Sequence, residues 1–181
     1  MNNSVLSAFL ISCIVLSGCA ETTKKAVHET TGDNADKFIQ HGWDFPLGRS
    51  RAKIIEGLGN PVAVKAERAK PNINIMDPAV EIADEIYELT YDGLVVVLYR
   101  AAEEKKELLQ QLTITSSKYK MKWDLHVGCT KHDVRTALGG PSEEQVDSYT
   151  YSRNQANGES SVQFSFEKDI VTRIDWSFSF E

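Results

Sequence analysis

The chain has 181 residues, 41% hydrophobic and 25% charged, which is enough for one medium core or two small ones. A formal net charge of −6 argues against the basic face that nucleic acid or an anionic lipid surface demands, so nucleic acid is not an expected partner. Only three cysteines are present, Cys13, Cys19 and Cys129, so no disulfide framework is expected.

Residues 5–16 are mostly apolar, and Leu16-Ser17-Gly18-Cys19 follows. This run is shorter than the roughly 20 apolar residues that a membrane-spanning helix needs. Its length and small-residue ending are those of a secretory signal over residues 1–18, cut between Gly18 and Cys19. The four residues resemble the lipobox of bacterial lipoproteins. Leu16 takes the hydrophobic position, Ser17 and Gly18 the small ones, and Cys19 the invariant cysteine. The resemblance implies that Cys19 is the lipidated first residue of the mature chain. Ala20 then stands where an Asp would favour inner-membrane retention, which implies an outer-membrane anchor facing the periplasm. Buried acyl methylenes contribute roughly 0.8 kcal/mol each, so more than one chain anchors stably. With the signal removed, Cys129 is the one side chain left to carry a free thiol.

Residues 19–40 are polar, without a sustained apolar period, and are expected to form a flexible tether. About 20 residues of coil span some 25 Å on average. At most a short helix is expected over residues 35–40.

Two stretches then repeat. Trp43-Asp44, Gly48, Leu58-Gly59 and Pro61 match Trp123-Asp124, Gly128, Leu138-Gly139 and Pro141, and every matched pair is 80 residues apart. The constant offset points to a duplicated unit, over residues 41–118 and 119–181. In the first unit Trp43 to Phe45 reads as an extended lead-in, and Ser50 as an N-cap. Ile54, Ile55 and Leu58 recur at helical spacing, and Gly59 and Pro61 stop the helix. Residues 62–84, broken by Pro71 and Pro78, read as an insertion loop. A hairpin follows over residues 86–99, turning at Asp92-Gly93, and a third strand over 107–115. The second hairpin strand, residues 94–99, is apolar on both faces and is expected to be covered on both.

The second unit is more compact. Thr130 and Asp133 have the spacing of a capping box, Val134, Ala137 and Leu138 face inward, and Gly139 to Pro141 end the helix. Strands are expected over residues 146–152 and 161–167, then a turn at Lys168-Asp169 and a final strand. In that strand Ile170, Thr172, Ile174, Trp176, Phe178 and Phe180 should share the buried side.

The expected fold class is therefore α+β, as two tandem units, each a short helix packed on a three- to four-stranded antiparallel meander. The helix, its Leu-Gly-x-Pro stop and the meander that follows resemble small outer-membrane lipoproteins of the BamE (SmpA/OmlA) type. Doubled, they are similar to the tandem architecture of the β-lactamase-inhibitor protein. Both resemblances imply a non-enzymatic protein that binds another protein, here in the envelope, in outer-membrane assembly or maintenance, with no cofactor.

One cluster carries possible chemistry: His126, Cys129, His132 and Asp133. Zinc would need three or four such ligands converging at about 2.0–2.3 Å, and a cysteine nucleophile would need a base and an orienting group. The alternative function, an envelope metal- or small-molecule-binding protein, rests on the His126-Cys129-His132 region. No Walker, dinucleotide, G-x-S-x-G or H-E-x-x-H pattern is present. No catalytic and no metal-ligating residue is expected, and Asp44 and Asp124 are read as structural.

Overall fold

The computed structural model describes residues 31–44, 49–69, 72–73, 81–155 and 158–179. In chain order these form α1 (Thr31–Asp44), α2 (Arg51–Leu58), β1 (Ala63–Arg68), β2 (Asn72–Ile73), β3 (Glu81–Ile82), β4 (Glu85–Tyr91), β5 (Leu94–Ala101) and β6 (Lys106–Ile114). A 3-10 turn (Lys122–Asp124), α3 (Lys131–Leu138), β7 (Glu143–Glu144), β8 (Ser148–Gln155), β9 (Gly158–Glu167) and β10 (Ile170–Phe178) complete them.

Eight strands make one antiparallel sheet in the order β1-β4-β5-β6-β10-β9-β8-β7. This corrects the expected two units. The last strands of the two halves pair with each other, Ile114 opposite Ile174 and Leu112 opposite Trp176. All four of those side chains are fully buried in one core that runs through both halves. A half on its own would expose that edge and half of a small core, which is unfavourable on both counts.

Local features nonetheless recur at the 80-residue offset. Ser50 and Thr130 each cap their helix by accepting the N–H three residues on. Gly59 and Gly139 each end it at positive φ, 81° and 84°. The Tyr91 hydroxyl donates to the Gly59 carbonyl at 3.3 Å, and the Tyr151 hydroxyl to the Gly139 carbonyl at 3.0 Å.

α1 corrects the tether expected up to residue 40. From Thr31 the chain is helical, and Ala35, Phe38 and Ile39 enter the core, the last two completely. Trp43 and Asp44 are the last turn of this helix, not an extended lead-in. Trp123 instead sits in a left-handed turn at φ 58°, so the two Trp-Asp pairs have different backbones. α1 packs on β8, β9 and α3, and Asn34 Nδ2 donates to the Ala137 carbonyl at 3.0 Å. α2 and α3 lie on the same face, through Ile54, Val134 and Leu138.

The insertion expected over residues 62–84 contains an edge strand. β1 pairs with β4 from Ala63↔Thr90 to Arg68↔Glu85, and all six of its residues are exposed. Without an apolar face the stretch carries no strand signal; main-chain pairing alone holds it. Within the same stretch Glu81–Ile82 is extended and pairs with Asn72–Ile73.

Bulges reset two strands. The β10–β9 register shifts between Val171 and Arg173, so Val171 is buried and Ile170 exposed, the reverse of the expected phase. The β5–β6 register shifts between Val97 and Leu98, and Leu109 is buried while Leu108 is half-buried. From Ile174 on, the alternation is as read, with Trp176 and Phe178 buried; Phe180 lies outside the described residues. β5 is buried on one face only, because Val95, Val97 and Tyr99 are half-buried on the other. Among the described residues no helix lies on that second face. It carries Ile86, Val97 and Tyr99 in the first half, and Gln163, Ser165, Asp175 and Ser177 in the second.

Candidate functional site

Gly18 and Cys19, the expected cleavage and lipidation residues, lie outside the described residues, as does the expected tether up to residue 30. The residues singled out for chemistry are all described, and the fold divides them.

The division starts at Met121 and Leu125, both buried. The Met121 N–H donates to the Leu125 carbonyl at 2.9 Å, which closes a loop on Lys122, Trp123 and Asp124. A loop this short needs left-handed residues at its apex, and no glycine is present there. Trp123 and Asp124 take φ of 58° and 57° instead. Side chains that carry a Cβ adopt this conformation at a cost of about 1–2 kcal/mol each. The turn thrusts the Trp123 indole outward. It stacks on Phe38 of α1, with centroids 6.1 Å apart, and carries the Lys122 ammonium 4.7 Å from its ring centre. Even so, 38% of the residue remains exposed.

Beside the indole lies a shallow depression between the turn and α3. Asp124, Leu125, His126, Gly128, Cys129, Asp133 and Ala137 line it. The Cys129 thiol is buried, and burial pushes its pKa up, away from the thiolate a nucleophile or metal ligand needs. Asp133 is committed to α3. It accepts from the Thr130 hydroxyl at 2.7 Å and the Thr130 N–H at 2.8 Å, bonds that hold its carboxyl below the usual range. His126 Nδ1 lies 2.9 Å from the Val127 carbonyl.

His132 is not part of this depression. It lines another one on the far side of the α3 N-terminus, with Lys131, Arg135 and Tyr149, and its Nε2 lies 3.4 Å from the Thr136 hydroxyl. The His126-Cys129-His132 grouping therefore splits between two surfaces. Among the described residues no three His, Cys, Asp or Glu side chains gather as metal ligands.

Asp44 and Asp124 form exposed ion pairs, with Arg49 at 3.7 Å and Lys120 at 3.0 Å. Such pairs are worth little in water. His41, which sequence reasoning passed over, stands 6.4 Å from the Phe38 ring. Burial, then the nearby Lys122 charge, lowers its pKa. Trp123 itself was visible only as half of a repeat. The left-handed turn that exposes it leaves no mark in the residue pattern, because no glycine announces it.

The chain matches no protein-family model, no curated protein and no solved structure.

Proposed function

We propose that this is a lipid-anchored envelope protein that acts by binding another protein, in outer-membrane assembly or maintenance, and not by catalysis. The anchor is Cys19, on the strength of the Leu16-Ser17-Gly18-Cys19 resemblance and Ala20. The likeness of the helix-stop pattern to BamE-type lipoproteins supports the same setting.

The observation that carries the binding role is the Trp123 indole, held partly in solvent by two consecutive left-handed residues. Tryptophan, with tyrosine and arginine, is enriched among binding anchors, and strained backbone concentrates at functional positions. Leu125 and Ala137 give the depression an apolar floor, and His126 and Asp124 a polar rim.

The test is photocrosslinking in living cells, with a photoreactive phenylalanine at position 123 of the full chain. The control position is Val146, 93% exposed on the loop before β8. A discrete protein adduct at 123 and none at 146 is the expected result. Identical patterns at both positions, or adducts to lipid alone, would overturn the binding role. Palmitate labelling of the full chain and its Cys19→Ser variant tests the anchor; equal labelling of the two would remove it.

A further inference from the structure

We infer that the free edge of the sheet, β1, pairs with β1 of a second copy of this chain, extending the sheet across a two-fold axis at Ala66. β1 has β4 on one side and nothing on the other among the described residues. The Ala69 N–H donates to the Asp84 carbonyl at 2.8 Å, and the β1–β4 register continues this spacing. In an antiparallel ladder the hydrogen-bonded residues alternate. Lys65 and Glu67 therefore bond to β4, while Val64, Ala66 and Arg68 turn their N–H and C=O groups outward. These are the groups that an added strand engages.

The sequence selects the register. When two copies of β1 run antiparallel with Ala66 opposite its own counterpart, Val64 faces Arg68 of the other copy. These are the three residues with outward main-chain groups, so the ladder closes without a slip. In the same register Lys65 of each copy faces Glu67 of the other, giving two opposite-charge pairs on one face of the sheet. Shifting by one step in either direction breaks one requirement or the other. A shift of one residue opposes outward groups to inward ones, and a shift of two brings Lys65 or Glu67 opposite itself. In the single chain Lys65 bridges to Glu67 along the strand, both well exposed, and also faces Glu88 across the β1–β4 pair. Val64, 54% exposed, lies in the same stretch and gains cover from Arg68 of the second copy.

The contact is isologous, so it closes at two copies. An edge-strand contact is small, so the association is concentration-dependent. It is independent of the Trp123 depression, which lies by α3.

The experiment is sedimentation equilibrium of the full chain in mild detergent over a wide concentration range. It compares wild type with Lys65→Glu, Glu67→Lys and the double exchange. A monomer–dimer equilibrium is expected for wild type. Each single exchange puts like charges opposite one another twice and weakens the dimer about tenfold or more. The double exchange restores opposite pairs and returns affinity to near wild type. Both positions are exposed edge sites, and circular dichroism checks that the variants fold. A wild-type chain that stays monomeric, or a dimer indifferent to the exchanges, would overturn the inference. Single exchanges that weaken the dimer without recovery in the double would overturn the register.

Discussion

Gly42 lies against the indole of Trp176. A Cβ placed on Gly42 would come within 2.3 Å of the ring, closer than any real contact. Trp176 is fully buried on β10, and its Nε1–H donates to the Phe38 carbonyl of α1 at 3.4 Å. The absence of a side chain at Gly42 thus sets the distance between the N-terminal helix and the middle of the sheet.

Gly42→Ala separates packing from propensity. Alanine favours an isolated helix by about 1 kcal/mol, whereas forcing a methyl into a filled site costs about 1–3 kcal/mol. A net loss of stability is expected in urea denaturation, with a changed near-ultraviolet tryptophan signal. A net gain would mean that α1 rides loosely on the sheet.

The two helix caps should differ although they occupy equivalent positions. Thr130 Oγ1 accepts the Asp133 N–H at 3.1 Å while Asp133 answers the Thr130 N–H, a complete capping box. Ser50 has only the Lys53 N–H, at 3.5 Å, and a lysine where the answering carboxylate would stand. Thr130→Ala should cost about 1–2 kcal/mol and Ser50→Ala about 0.5 kcal/mol or less. Thermal melts of the two variants make the comparison, and equal losses would contradict it.

The parts that the sequence made legible are those whose cause is local. Asp92-Gly93, Lys168-Asp169 and the Gly59 and Gly139 stops are set by neighbours within a few residues. Tyr91 pairs with Leu94, and Glu167 with Ile170, each across a two-residue loop. What stayed hidden depends on distant partners. Ala63–Arg68 has no apolar pattern because nothing covers it, yet β4 makes it a strand. Phe38 and Ile39 sit in a polar stretch whose few apolar residues become significant only once β8, β9 and α3 receive them. The pairing of β6 with β10 joins the last strand of each half, and no alternation within either strand encodes its neighbour. At the candidate site the sequence gathered His126, Cys129 and His132 by proximity. The capped start of α3 then sends His132 to another surface.

Asp84 and Tyr99 should give stability a limb at each end of the pH scale. Asp84, at the end of the stretch following β1, accepts the Tyr99 hydroxyl and the Ala102 N–H, the latter at 2.9 Å. The Tyr99 bond, then the backbone bond, holds the Asp84 carboxyl below its ordinary value. The same bond raises Tyr99 to about 12. A lowered acid contributes stability above its unfolded pKa and loses it as pH falls through the folded one. A raised phenol contributes fully below its unfolded pKa and loses it as pH rises toward about 12. Tyr99→Phe should cost ~1 kcal/mol near neutrality and flatten part of both limbs. Urea denaturation across the pH range measures this, and unchanged limbs would remove the pair from the account.

His41 should make the docking of α1 sensitive to mild acid. Burial against Phe38 and the Lys122 charge both disfavour its protonated form, and Asp44 opposes them only partly. Its folded pKa therefore lies below the unfolded one, so its contribution is present at neutral pH and lost as pH falls through the folded value. Lys122 also carries its ammonium over Trp123, so the titration is felt beside the candidate binding surface. Lys122→Met removes the repelling charge and should raise the His41 pKa, as read from its ring resonances in a proton NMR titration. His41→Gln should flatten the fall in stability between about pH 7 and about pH 5. If the wild-type chain is equally stable at both ends of that range, His41 titrates alike in the folded and unfolded chain, and its burial between Phe38 and Lys122 has no energetic consequence.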